Sequence, residues 1–161
     1  MISPMNETAQ SLPEQDREIL RHLQRDATLS LRDLAERVGM SQSTVWRRIE
    51  ALEATGLITG RVTLVDADRA GVSVCVFVQI NLRDHNPETR RAFETMIHAM
   101  PEAMDCYAVT GAFDYTVILR TGSVAAFEDI LMNRVLAAEC VANAASHLSL
   151  RHIKHSTALP I

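Results

Sequence analysis

The positions from Ser41 to Arg48 carry Ser41, Gln42, Ser43, Thr44, Trp46, Arg47 and Arg48, all able to hydrogen-bond, and only Val45 interrupts them. Short polar side chains allow close approach to another molecule, and arginine suits guanine edges and phosphates. If a helix begins here, its first backbone N–H groups also favour a phosphate. This is the chemistry of non-covalent contact with DNA. The plainer reading is a helical hairpin with a solvated polar face. Trp46 admits two roles, an exposed contact or a packing residue against a preceding helix.

Three segments of helical periodicity are available to position this stretch. Leu12, Ile19, Leu20 and Leu23 mark the first, with Pro13 near its start. Leu31, Leu34, Ala35 and Val38 mark the second, with Ser30 as N-cap; Val45, Ile49 and Leu52 mark the third, with Ser41 as N-cap. Gly39 and Met40 leave room only for a short turn between the last two, and Gly56 ends the third. A helix-turn-helix places its second helix in the major groove, N-terminal end foremost. With Val45, Ile49 and Leu52 inward, Gln42, Ser43, Trp46 and Arg47 point outward. The short turn and the preceding helix favour DNA contact over the plain hairpin.

Charge does not help by bulk. The chain has 161 residues and a formal net charge of −4. Its first 60 residues hold seven arginines against nine acidic residues. DNA binding must therefore rest on local placement: Arg47 and Arg48 meet no acidic neighbour before Glu50. Apolar residues make up 47% and charged residues 22%, the balance of a globular protein. Met1–Gln10 lacks a basic start followed by an apolar run, so no secretory signal is expected. No apolar run approaches the roughly 20 residues that span a bilayer. Cys75, Cys106 and Cys140 each lie in an apolar stretch, without a CxxC pair. They are expected to be small buried hydrophobes in a reducing, cytoplasmic compartment.

The period changes near Gly60. Arg61–Val65 is a candidate short strand, and Asp66–Gly71 a linker or turn. Val72–Leu82 is the clearest strand: Val72, Val74, Val76, Val78 and Ile80 share one face, while Cys75 and Phe77 make the other partly apolar too. A helix follows, with Asn86 as cap candidate, Pro87 in the first turn and Phe93, Met96, Ile97 and Met100 as its stripe. Strands are expected at Met104–Val109 and Tyr115–Arg120, then a helix opened by Ser123, then a last strand from about Val141 to Ile153. Strand, helix, strand, strand, helix, strand is the ferredoxin-like βαββαβ sandwich. Its two helices cover one face of the sheet, leaving the Phe77 face for a partner. The expected class is α+β: a helix-turn-helix domain over residues 1–60, a linker strand and turn over 61–71, and the sandwich over 72–161.

Two quoted stretches carry a resemblance. "DREILRHLQRDATLSLRDLAERVGMSQSTVWRRIEALEATGLITG" and "CYAVTGAFDYTVILR" are similar, in that order, to regulators of the Lrp/AsnC (feast/famine) type, over about Leu12 to Thr157. The resemblance implies a winged form of the helix-turn-helix and a sandwich that binds amino acids or related small molecules. It also implies homodimers through sheet-to-sheet packing, commonly assembled into tetramers or octamers, on an imperfect palindrome of double-stranded DNA. Its effector loop matches Thr110, Gly111, Ala112, Phe113 and Asp114, and its last-strand contribution matches Ser146 and His147. Backbone N–H groups at a glycine turn can hold a carboxylate, and Asp114 an ammonium. Alternatively, Gly111 and Asp114 serve only to build a tight turn. The chain departs from common relatives at Ala112, at Glu139–Cys140 and at Ala144, which bears on the ligand and not on the fold.

Other chemistry fits the sequence less well. His147 and His152 differ by an odd number, and so do His152 and His155, so on one extended strand the three do not converge on a metal ion. Asp66 and Asp68 lack the further ligands of a calcium loop. No nucleophile–base set or phosphate loop is visible, and no cofactor, metal or enzymatic activity is expected. The rival functions are an effector-independent architectural DNA protein and, more weakly, a metabolite-binding enzyme or module on a ferredoxin-like fold.

Overall fold

A computed structural model describes residues 12–161, so the expectation placed on Met1–Gln10 lies outside the described residues. The chain divides into two compact units. One runs to Thr63 and includes Lys154–Ile161; the other is Leu64–Ile153.

The first unit holds α1 (Glu14–Arg25), α2 (Leu31–Val38) and α3 (Gln42–Ala54). Both expected serine caps form. Ser30 accepts the Asp33 N–H at 3.1 Å and its hydroxyl meets the Asp33 carboxylate at 2.7 Å, while Ser41 accepts the Thr44 N–H at 3.2 Å. Gly39 closes α2 in the left-handed region, at φ 65°, which lets Met40 N–H reach back to the Ala35 carbonyl and keeps the turn short. Ile19, Leu34, Ala35 and Val45 form the buried centre, with Leu23, Leu31, Val38 and Ile49 packed around it. The segment Lys154–Ile161 returns to α1: Gln24 accepts the Leu159 N–H at 2.6 Å and Arg21 Nε donates to the Ile161 carbonyl at 2.8 Å.

The second unit is a sandwich of β1 (Val74–Leu82), α4 (Pro87–His98), β2 (Ala103–Ala108), β3 (Tyr115–Thr121), α5 (Val124–Ile130) and β4 (Val141–Leu148). A π-helical turn over Leu131–Val135 continues α5. The sheet order is β2-β3-β1-β4, with every neighbouring pair antiparallel. Val76, Val78, Ile80 and Leu82 of β1 and Tyr115, Val117 and Leu119 of β3 alternate onto one face, where Phe93, Ile97 and Met100, Ile130 at the end of α5 and Val135 of the π-helical turn bury them. The Phe93 and Tyr115 rings lie 4.5 Å apart. The opposite face carries Phe77 and Tyr107, 40% and 56% exposed.

Four local expectations differ from the structure. Arg61–Val65 forms no strand, and Val62, Leu64 and Val65 stand exposed, because no strand among the described residues pairs with them. The last strand stops at Leu148, so His152 and His155 are not on it. Asn86 occupies the N-cap of α4 without a side-chain cap; Asp84 takes over, accepting the Asn86 N–H at 3.0 Å and the Thr89 hydroxyl at 2.7 Å. Of the cysteines only Cys140 is buried: Cys75 is half-buried, and Cys106 is exposed because β2 is an edge strand.

Candidate functional sites

The outer face of α3 is built by the inward commitment of Val45 and Leu52, both buried, and of Ile49, half-buried. At helical spacing this leaves Gln42, Ser43, Trp46 and Arg47 exposed as one contiguous group, since residues three and four apart are neighbours on a helix. Trp46 is 54% exposed, so the packing role is not the one it takes. The two serines and the threonine at the helix start are linked: Ser41 Oγ lies 3.1 Å from Ser43 Oγ and 2.8 Å from Thr44 Oγ1. Ser41 is thus engaged in capping and its hydroxyl meets that of Ser43, while Gln42 and Ser43 are both exposed.

Arg47 and Arg48, adjacent in sequence, part company in space. Arg48 turns towards α1, where its Nη1 donates to Asp16 Oδ1 at 2.9 Å and its Nη2 bonds the Gln15 side chain. Its Nε is buried without a partner, and the Asp16 side chain is only 14% exposed. Arg48 is therefore a brace between α1 and α3. Arg47 remains on the exposed face. The two are told apart only by the helical phase relative to Asp16, a contact 32 positions away.

The Thr110–Asp114 connection joins β2 to β3. Gly111 sits at φ 122°, a region costly for any residue with a Cβ, although space for one is open. Thr110, Gly111 and Ala112 are exposed; Phe113 and Asp114 are half-buried. Asp114 is fixed on several sides. Its N–H donates to the Ile80 carbonyl at 3.0 Å and to Asn81 Oδ1 at 3.2 Å, its carbonyl accepts the Val109 N–H at 2.9 Å, and its Oδ2 accepts the Leu82 N–H at 2.8 Å. The β1–β4 register shifts between Asn81 and Leu82, and it is the Leu82 amide that Asp114 takes. The remaining carboxylate oxygen, Oδ1, faces His85 Nδ1 at 3.7 Å. Sequence reasoning missed both Asn81 and His85. Asn81 is one of two polar residues of β1, the other being Gln79, and nothing in the sequence singles it out.

Ser146 and His147 do not join this turn within one chain. Ser146 pairs with Val78 and His147 with Phe77, whereas Tyr115, next to Asp114, pairs with Ile80. β1 lies between them and β3, and their side chains alternate to opposite faces of the sheet. Among the described residues no group of three His, Cys, Asp or Glu side chains is assembled to hold a metal ion, and no helix is long and apolar enough to cross a membrane.

Residues 12–59 match the family model described as a winged helix-turn-helix DNA-binding domain, and residues 75–159 match the Lrp/AsnC ligand binding domain. A glutamate uptake regulatory protein of Zymomonas mobilis is 34% identical over 150 residues, covering 93% of this chain and 91% of the relative. The DNA-binding transcriptional activator DecR of Escherichia coli is 31% identical over 146 residues, covering 91% and 96%. The crystal structure of a transcriptional regulator from Neisseria meningitidis, in complex with L-Met, superimposes with a TM-score of 0.89 at 29% identity, covering 93% of this chain and 97% of that one. With a DNA-binding domain at one end, a ligand-binding domain at the other and regulators as full-length relatives, the chain belongs to the Lrp/AsnC family of DNA-binding transcriptional regulators.

Proposed function

We propose that this regulator reads operator DNA with the exposed face of α3 and that an amino acid or closely related metabolite, seated at the Thr110–Asp114 turn, tunes that binding. The observation that carries the first half is the capped start of α3, with Gln42, Ser43, Trp46 and Arg47 exposed on one face and Arg48 withdrawn to Asp16. Ser41 and Thr44 support the contact by shaping the helix start, where backbone N–H groups attract a phosphate. The working division is a DNA-binding domain to residue 60, a linker over 61–71 and an effector and assembly domain over 72–161.

The second half rests on chemistry. An amino acid offers a carboxylate for backbone N–H groups at Gly111 and an ammonium for the free Asp114 oxygen. Ser146 and His147 contribute only from a second chain. Homodimers form through the Phe77–Tyr107 face and assemble further into tetramers or octamers. A two-fold dimer presents two copies of α3, which calls for an imperfect palindrome. The protein acts in the cytoplasm and without catalysis. The effector changes affinity through different contacts in two assembly states.

Fluorescence anisotropy with DNA selected from a random pool tests the DNA half. Arg47→Ala is expected to weaken binding and to lower the slope of log affinity against log salt by about 0.9, one phosphate's worth. An unchanged slope and affinity remove Arg47 from the contact surface. The architectural alternative has an observation of its own, because Asp114 Oδ2 is already committed to the Leu82 amide. Insensitivity of DNA binding to all twenty amino acids would select it.

A further inference from the structure

Lys154–Ile161 follows β4 of the sandwich in the chain, yet by its contacts it belongs to the helical unit. It is seated on the second half of α1 through its backbone. Gln24 forms a reciprocal pair with Leu159, accepting its N–H at 2.6 Å and donating Nε2 to its carbonyl at 3.4 Å. Arg21 Nε donates to the Ile161 carbonyl at 2.8 Å. Leu159 stays 68% exposed, so little apolar area adds to these bonds. A segment held in this way opens without global unfolding.

The helix that seats this segment also braces α3. Arg21 is held in turn by Glu14, at 2.8 Å, and by Glu18, both earlier on α1. The same stretch of α1 supplies Asp16 and Gln15, which hold Arg48. Arg48 directly follows Arg47 of the exposed group on α3.

We propose that Lys154–Ile161 is a regulatory strap: its seating on Arg21 and Gln24 of α1 is coupled, through the Arg48 brace, to DNA binding by α3. The proposal rests on α3 as the DNA-reading helix. The seated strap fixes α1 where Asp16 and Gln15 meet Arg48, and α3 keeps its reading geometry. The released strap loosens α1 and, with it, the brace. The strap also gives β4, the strand of Ser146 and His147, a covalent lead to the helical unit besides the 61–71 linker. A change at β4 thus reaches α3 by seating or releasing the strap.

Lys154 is the only lysine of the chain, so a protease specific for lysine cuts the full protein once, at the start of the strap. When opening is fast relative to cleavage, the rate of this cut follows the population of open strap. Gln24→Ala is expected to be cut about fivefold faster than wild type, the worth of one net hydrogen bond, whereas Arg32→Ala on α2 keeps the wild-type rate. Once severed, the segment leaves by dilution. Coupling is reciprocal, so saturating DNA selected from a random pool should slow the cut, and the cut protein should bind that DNA more weakly by the same factor, about fivefold or more. In Arg48→Ala, where the brace is gone, cutting is expected to leave DNA affinity unchanged.

A cut protein that binds DNA as tightly as the intact one overturns the strap, even if DNA slows the cut by covering Lys154. An equal loss on cutting in wild type and Arg48→Ala overturns the route through Arg48. Equal rates in wild type and Gln24→Ala, total resistance included, overturn the seating on Gln24. Failure of the intact protein to bind any selected DNA overturns the DNA reading of α3, and the coupling with it.

Discussion

On α3 the groups offered to a partner are the ends of side chains: an amide, a hydroxyl, an indole and a guanidinium, held outward by Val45 and Leu52 beneath. On the Thr110–Asp114 turn they are mainly backbone groups set by Gly111 at φ 122°, with one carboxylate half-used by the Leu82 amide. Helix geometry makes the first surface almost independent of the rest of the molecule. The second exists only because β1, β3 and the β1–α4 turn meet there. A side-chain surface is robust to its surroundings and adaptable by substitution. A backbone-built turn is precise but depends on long-range register.

That contrast is open to attack at several scales. Phe93, fully buried beneath the sheet and against Tyr115, belongs to the frame on which the turn depends. Phe93→Ala is expected to cost about 3–5 kcal/mol, read by urea denaturation, and to abolish effector response. If DNA affinity at low protein concentration falls equally, the helical surface is less independent than described. Arg48→Ala leaves Asp16, largely buried, without its cation and should destabilise the helical unit by about 1–3 kcal/mol while barely altering the salt slope of DNA binding. Arg47→Ala should do the reverse. Matching behaviour of the two variants would erase the distinction between contact and brace. Ser41→Ala removes the cap of α3 at a cost of about 1 kcal/mol in thermal melts.

The smallest effect is a pH dependence at Asp84. The Thr89 hydroxyl, then the Asn86 N–H, hold its carboxyl below the ordinary value of 3.8. The unfolded chain therefore takes up the proton first. Asp84 contributes fully above the ordinary carboxylate range and loses that contribution as pH falls through its lowered folded value. Thr89→Val should flatten this acid limb slightly in melts taken from about pH 6 down to about pH 3, around the carboxylate range. An identical acid limb would dismiss the Asp84 turn as an anchor.

How far the sequence is legible follows the same division. Helical period and serine caps placed α1–α3, and both caps form as expected. Alternation placed β1 and β3, because Val76, Val78, Ile80 and Leu82 share a buried face. What sequence could not reveal were partners far along the chain. Arg48 looks like Arg47 until Asp16 is brought beside it, and Asp114 looks like a free carboxylate until the Leu82 amide meets it. The end of β4 at Leu148 is not marked in the sequence, because no glycine or proline follows until Pro160. The apolar run around Cys106 points inside, yet an edge strand leaves the residue exposed.

The most direct test of the account is a thermal-shift screen of wild type and Asp114→Asn against the twenty amino acids. A ligand at 100 times its Kd stabilises the native state by about 2.7 kcal/mol, normally a visible rise in Tm. The account predicts such a rise with one or a few amino acids in wild type and its loss in Asp114→Asn. The same rise in both proteins would contradict the role given to Asp114, and no rise with any amino acid would contradict amino-acid sensing itself.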